Sequence, residues 1–335
     1  MLNVADILDR CTVVSLPMRL RFRGVTQREA VLIDGPCGWG EFAPFKEYDA
    51  CESASWLESA LEMAYEGPPV FHRSSIPINA TIPAVAPDKV EEILARFPGC
   101  DTVKVKIAEP GQSLKDDIAR VAAVREILPL SKIRVDANGA LTVAEAVKTA
   151  HALGPLDYLE QPCASVIELA ELRQQLIRAG LFIRVAADES IRRVRDPYEV
   201  AKKQAVDVAV IKAAPMGGPR RVGEIAEFMR SRGLDITVSS ALDMGVGMNA
   251  GIAAVAALPR MSDDEEFDVP PAAAGLGTQQ FFVEDITPKR TIEAGHIAVE
   301  MLDPCPDRLA EFRLNGKDKD WWFDRLTQCF AYLDR

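Results

Sequence analysis

The run TVKVKI (102–107), then SLKDDIARVAAVREIL (113–128), then KIRVDA (132–137) sets the fold class of this chain. The outer two pieces are short apolar runs with β-branched residues; in the middle piece apolar residues recur at helical spacing. Strand, helix, strand is a βαβ unit, and repeated units of this kind imply a parallel sheet. The same alternation continues in both directions. PINATI (77–82) precedes it, and DYLE (157–160), IRVAAD (183–188), VAVIK (208–212) and ITVSS (236–240) follow, with AAAGLGT (272–278) as a less regular last run. Seven of these eight runs are followed by a helical pattern. Eight strands close a (β/α)8 barrel. An open doubly wound sheet would carry a GxGxxG after its first strand, and PINATIPA offers nothing of the kind. The expected class is α/β, a TIM-like barrel.

Two flanking regions differ in character. Up to about residue 75, CTVVSL (11–16), REAVLI (28–33) and GWGEF (38–42) are punctuated by Gly and Pro, as antiparallel strands and turns are. ESASWLESALEMAYE (52–66) then has helical spacing, so this region reads as a small α+β unit. After Thr278 there is no eighth helix. The chain runs through FFVEDI and DPCPD to a terminal helix near DWWFDRLTQCFAYL, which is expected to return to the first region. The expected division is residues 1–76 with 279–335 in one unit and 77–278 in the barrel. The acidic stretch SDDEEFD (262–268) reads as a solvated loop. Phe22–Thr26 and Gly35–Gly40 are candidates for mobile loops.

Composition narrows the function. With 335 residues, core formation is not limiting. A net charge of -11 argues against a nucleic-acid binder, whose affinity rests on Lys and Arg. The seven cysteines are scattered, odd in number and without a CxxC pair, as expected of reduced structural thiols in a cytoplasmic protein. The start, MLNVADILDR, has no signal-peptide pattern, and no apolar stretch reaches the roughly 18 residues of a membrane helix. No membrane partner is expected. The expected partner is a small-molecule carboxylate; the oligomeric state is left open, a monomer being compatible. Of three histidines (His72, His151, His296) none has ligand-like spacing, and His151 reads as a helix-face residue. Any metal is then expected on carboxylates, which favours a hard ion such as Mg2+.

Charges recur where barrel enzymes place their chemistry, at the C-terminal ends of the strands. Successive runs close with Lys104-Val-Lys106, Asp136-Ala-Asn138, Glu160-Gln-Pro, Asp188-Glu189, Lys212, Ser239-Ser240 and Gly275-Leu276-Gly277. Adjacent strands lie about 4.8 Å apart, so Asp136, Glu160 and Asp188 can converge. Three such buried charges repel unless a cation sits among them. Lysines flank the carboxylates on both sides, which suits a metal-bound substrate carboxylate with an amine beside its α-carbon. The pair Trp321-Trp322 reads as packing rather than binding.

Lys-x-Lys, Asp-x-Asn, Glu-Gln-Pro, Asp-Glu-Ser and a further strand-end Lys, in that order, are similar to the muconate-lactonizing subgroup of the enolase superfamily. Within it, AEPGQSLKDDIARV, VDANG, YLEQPC, AADESIR, KAAPMGG, VSSALDMGVG and GLGT resemble the actinobacterial o-succinylbenzoate synthase family, with PMRLRFRG and GWGEF also matching. The resemblance spans about Leu16 to Thr278. It implies a (β/α)7β barrel under an α+β capping domain formed by the N-terminal region and C-terminal segment. It implies Mg2+ (with Mn2+ a possible substitute) on Asp136, Glu160 and Asp188, and a syn dehydration in menaquinone biosynthesis. It makes Lys106 the base, with Lys104 beside it, and Lys212 a cation steadying the anion. Asn138 and Glu189 are expected to support these groups, Asn138 also to bind substrate. Ser239, Gly275 and Gly277 are expected to bind the succinyl carboxylate through hydroxyl or backbone N–H groups. Of the cap residues, Arg21 and Arg23 face substrate or are plain surface charges, and Glu41 and Phe42 face substrate or are cap packing only. An N-acylamino acid racemase or other epimerase on the same scaffold is the alternative, since lysines on two faces suit two-base chemistry. Dipeptide epimerases typically carry Asp-x-Asp where Gly275-Leu276-Gly277 stands.

Overall fold

The computed structural model describes residues 2–22, 24–194, 196–260, 262 and 269–333. Arg23 and nearly all of the acidic stretch 262–268 lie outside these residues. The alternating segments near the start form an antiparallel sheet of β1 (Cys11–Phe22), β2 (Val25–Gly35) and β3 (Gly38–Phe42). A helix, α1 (Ala50–Leu61), capped by Asp49, lies against it. The packing is close enough to need glycine. A Cβ on Gly35 or Gly40 would stand 2.0 Å from the carbonyl oxygen of Ala64 or Ala60. The candidate loop Gly35–Gly40 is therefore a tight β2–β3 turn pressed on the helical segment.

The βαβ reading gives a seven-stranded sheet in sequential order. Its strands are β4 (Ala80–Ile82), β5 (Thr102–Lys106), β6 (Lys132–Asp136), β7 (Tyr158–Glu160), β8 (Arg184–Ala187), β9 (Val208–Lys212) and β10 (Asp235–Ser239). Every observed pair within it is parallel. Ala274 and Gly275 close the ring. Ala274 bridges to Ile78 and Gly275 to Ser239, through Ala274 N–H to Pro77 O (2.8 Å) and Gly275 N–H to Val238 O (2.9 Å). The eighth strand is thus only two residues long, as the irregular run AAAGLGT foreshadows.

Side chains alternate across this ring as the pleat requires. Val103, Val105, Ala209 and Ile211 join the main core around it, whereas Tyr158, Ala186, Val208 and Val210 form a separate cluster. Three helices begin on the same device. Before α2 (Leu114–Ile127) Asp116 accepts from Ser113 N–H (2.7 Å), and Thr142/Glu145 and Ser165/Glu168 form reciprocal boxes before α3 (Val143–Leu153) and α4 (Val166–Arg178). These caps satisfy N–H groups that a helix start leaves open. One expected helix is replaced. After β8 the described residues form only the single turns Glu189–Arg192 and Glu199–Lys202 before β9, with Pro197 between them. Proline lacks the N–H and crowds the preceding turn, so no longer helix can run through it. Two regular helices complete the barrel layer, α5 (Pro219–Ser231) and α6 (Gly247–Ala257).

The last helix, α7 (Lys317–Phe330), lies against α1. Trp322 is buried edge-on to Phe42 (6.1 Å between centroids), and its indole N–H donates to Glu29 Oε2 at 2.7 Å. Trp321 stays 40% exposed. All seven cysteines are free, and burial pushes the Cys11, Cys100 and Cys163 thiols up to about 12, so these stay protonated. Among the described residues no helix is long and apolar enough to cross a membrane. Two substitutions test this packing by urea denaturation. Trp322→Ala is expected to lose about 3–5 kcal/mol, and Trp321→Ala far less. Ser165→Ala, which removes one box, is expected to lose about 1 kcal/mol.

Candidate active site

Register sets three of the strand-end charges side by side, and the other two close the next strands. Lys106 pairs with Asp136 and Asp136 with Glu160 across β5, β6 and β7, while Asp188 follows β8 directly and Lys212 ends β9. In a ring of eight, β5 and β9 are diametrically opposite. Lys106 and Lys212 therefore stand on facing walls, and both line one cavity at the C-terminal mouth of the barrel.

The charges are paired closely because burial forbids anything else. Lys106 Nζ lies 2.5 Å from Asp136 Oδ2 and donates to Asn138 Oδ1 at 2.7 Å. Lys104, one layer deeper, reaches up to Glu160 (3.0 Å) and lies 3.5 Å from Asp136. Lys212 donates to Asp188 Oδ2 at 2.6 Å, and Arg192 holds Asp188 Oδ1 at 2.9 Å. Burial works against charge on Lys104, but Glu160 and then Asp136 outweigh it and hold the ammonium above the usual lysine range. Burial pulls Lys212 below that range despite Asp188. Burial also disfavours charge on Asp136 and Asp188, but the lysines at Asp136, and Arg192 and Lys212 at Asp188, keep both well below the usual carboxylate range. Glu160 is the strained member: burial and then Asp136 push it up to about 7, with Asp188 adding to the effect.

Among the described residues no three carboxylate, His or Cys side chains stand grouped as metal ligands in this arrangement. Ammonium and guanidinium groups occupy the oxygens instead. The donor chemistry nevertheless fits a hard divalent cation. Three carboxylates offer oxygen alone, and the repulsion felt by Glu160 is what a central positive charge relieves. Nearby, Glu189 Oε2 is buried with no hydrogen-bond partner among the described residues.

The cavity admits most of the expected residues. Lys104, Lys106, Asp136, Asn138, Lys212, Ser239 and Gly275 line it, with Phe22, Thr81, Arg192, Ser240, Leu242 and Phe281. Glu160 and Asp188 are buried and do not themselves line it; Lys104 and Lys212, which pair with them, do. Asn138 takes the left-handed conformation (φ 47°), which lets its N–H donate to Asp136 Oδ1 (3.0 Å) while its side chain spans Lys106 and Glu189. Two expectations need correction. The Gly275 N–H closes the barrel on Val238, so it cannot also bind a substrate carboxylate. What Gly275 supplies is room, since a Cβ there would stand 2.4 Å from Ser239 Oγ. Gly277 does not line the cavity; a Cβ on it would meet the Phe97 ring at 2.6 Å.

Arg192 was missed in the sequence, although its i,i+4 spacing from Asp188 on a helix start is a readable signal. It also donates to Glu189 Oε1 (2.6 Å) and to the cap's Tyr48 hydroxyl (3.0 Å). Arg21 is exposed and donates to Gly24 O. A roomier groove of about 540 Å3 lies at the other end of the barrel, between Phe97, Ile127 and Leu130. Its walls are mostly apolar and carry no lysine, so volume does not mark the site.

Comparison with known proteins gives the family. Residues 13–64 match the family model described as enolase N-terminal domain-like, and residues 88–303 the one described as enolase C-terminal domain-like. The chain is 50% identical over 330 residues to the o-succinylbenzoate synthase of Mycobacterium tuberculosis (strain H37Rv), covering 98% of this chain and 95% of that protein. The chain belongs to the o-succinylbenzoate synthase family of the enolase superfamily. The o-succinylbenzoate synthase of Mycolicibacterium smegmatis is 51% identical over 331 residues, covering 98% and 97%. In shape the chain is similar to a muconate lactonizing enzyme from Pseudomonas fluorescens complexed with muconolactone (TM-score 0.72, 22% identity, 91% of this chain and 98% of that one). It is similar also to the N-succinyl Arg/Lys racemase of Bacillus cereus (TM-score 0.73, 17% identity, the same coverage). At these identities the likenesses establish the fold, and the racemase alternative is not favoured over the synthase relatives. Gly275→Ala is expected to cost about 1–3 kcal/mol in urea denaturation, because Ser239 and the closing bridge must both shift.

Proposed function

We propose that this chain catalyses the metal-dependent syn dehydration of 2-succinyl-6-hydroxy-2,4-cyclohexadiene-1-carboxylate to o-succinylbenzoate, a step of menaquinone biosynthesis. The observation that carries this reading is the placement of Lys106 and Lys212 on opposite walls of one cavity above three buried carboxylates. The family membership, through relatives about half identical, supplies the reaction class, a lyase. In the division we infer, residues 1–76 with 279–335 cap the site and residues 77–278 carry the chemistry.

Asp136, Glu160 and Asp188 would hold Mg2+, or Mn2+ in its place, and that ion would supply Lewis-acid stabilisation to the charge that develops on the substrate carboxylate. The protein's own groups do the rest. Lys106, as the free amine, takes the proton α to the carboxylate, and the bonding pair moves into that carboxylate. The Lys106 ammonium then gives its proton to the hydroxyl on the same face as the C–O bond breaks. Water leaves, and the ring becomes aromatic. A syn elimination needs only this one lysine. Lys212, on the far wall, faces the anion with positive charge. Asn138 accepts from Lys106 and so sets the direction of its amine. The Ser239 hydroxyl, in the cavity wall, would meet the succinyl arm.

Loss of the diene absorbance is expected with Mg2+ and is expected to stop in excess EDTA. Lys106→Ala is expected to lower kcat by about 10²–10⁴-fold, and Lys212→Ala by about 10²–10³-fold. Substantial turnover by folded Lys106→Ala would remove it as the base.

A further inference from the structure

Part of the cavity wall belongs to the loop between β10 and α6, where Ser240, Ala241 and Leu242 face the site. Residues far away in the sequence hold this loop. Arg28 of β2 donates from Nε to Leu242 O at 3.0 Å. Glu41 of β3 accepts from Met244 N–H at 2.9 Å through one oxygen and from Gly247 N–H at 2.6 Å through the other. From the C-terminal segment, Asp285 accepts from Gly245 N–H at 3.0 Å. Leu242 itself takes φ 66°, uncommon for a branched side chain, so the loop needs outside support to keep that shape.

The loop is also cut to admit these groups. A Cβ on Gly247 would stand 2.7 Å from the Glu41 carboxyl, and one on Gly245 would stand 1.9 Å from Thr287 Oγ1. Glu41 is buried, and burial followed by Asp243 pushes it up to about 8, against the pull of its two N–H partners and Arg28. Both carboxylate oxygens accept from backbone N–H groups. A neutral acid would present an O–H to one of these donors.

We propose that Glu41 is a positioning residue for the substrate cavity, fixing from the cap the backbone of 244–247 and so the wall formed by Ser240, Ala241 and Leu242. The proposal rests on the dehydration reading for where substrate sits. A purely structural role, capping the start of α6, would change stability and leave substrate affinity alone. Lost positioning changes affinity first, because the wall meets substrate while the lysines stand on other strands.

The test uses the full-length, Mg2+-loaded enzyme. Glu41→Gln and Gly247→Ala are each expected to raise KM about tenfold while kcat changes less than about threefold. Gly247→Ala placed on Glu41→Ala, where the space is vacant, is expected to add no further rise. Amide hydrogen exchange over 240–247 is expected to quicken in Glu41→Gln. An unchanged KM in both single variants, with only a lower melting temperature, would overturn the proposal. A fully additive double variant would overturn it as well. If the wild-type chain does not turn over the diene, the dehydration reading fails separately. Exchange over 240–247 then decides the positioning role, and unchanged exchange rejects it.

Discussion

Three carboxylates buried side by side on adjacent strands are tolerable only if positive charge is delivered among them. Asp136, Glu160 and Asp188 are each almost wholly inaccessible to solvent, and leaving them unpaired would cost several kcal/mol per ion. The parallel register that sets Asp136 beside Glu160 creates this demand, and Lys104, Lys106, Lys212 and Arg192 answer it. The same arrangement prepares the site for chemistry. Each cation lies on one of these carboxylates, and in the proposed reading a metal ion would take its place there and leave the lysine amines facing the cavity.

The barrel alone does not finish the site. Phe22 and Phe281, stacked at 5.1 Å, come from opposite ends of the chain, and both reach the cavity. Tyr48 meets Arg192, so the cap touches the residue that holds Asp188. Arg28, Glu41 and Asp285 hold the loop after β10. The scaffold is shared with a lactonizing enzyme and a racemase at about one-fifth identity or less. Shape alone therefore does not select the reaction; the residues that meet substrate do.

The sequence made the barrel and its charged rim legible for a simple physical reason. Strand position and pleat are local properties, and charges at successive strand ends stand out against apolar runs. Lys106, Asp136, Glu160, Asp188 and Lys212 could be listed before any coordinates. Lys104 is subtler. It pairs in register with Arg134, and only its length lets it reach Glu160. The cap contacts were not legible, because they join elements that no local pattern connects, such as Tyr48 with Arg192 and Glu41 with Met244. The Gly275 error has the same origin. Its N–H is committed to Val238 by barrel closure, and no local pattern announces that bond. The single turns after Asp188, in place of a helix, were readable from Pro197.

The central claim is that the converging carboxylates are a metal site and the lysines its working partners. Diffraction from crystals soaked in Mn2+, with anomalous scattering to locate the ion, tests this directly. The account predicts one strong anomalous peak at the barrel mouth, bonded to an oxygen from each of Asp136, Glu160 and Asp188, with Lys106 and Lys212 displaced from those oxygens toward the cavity. A peak elsewhere, or no peak with all the ion pairs intact, would contradict it.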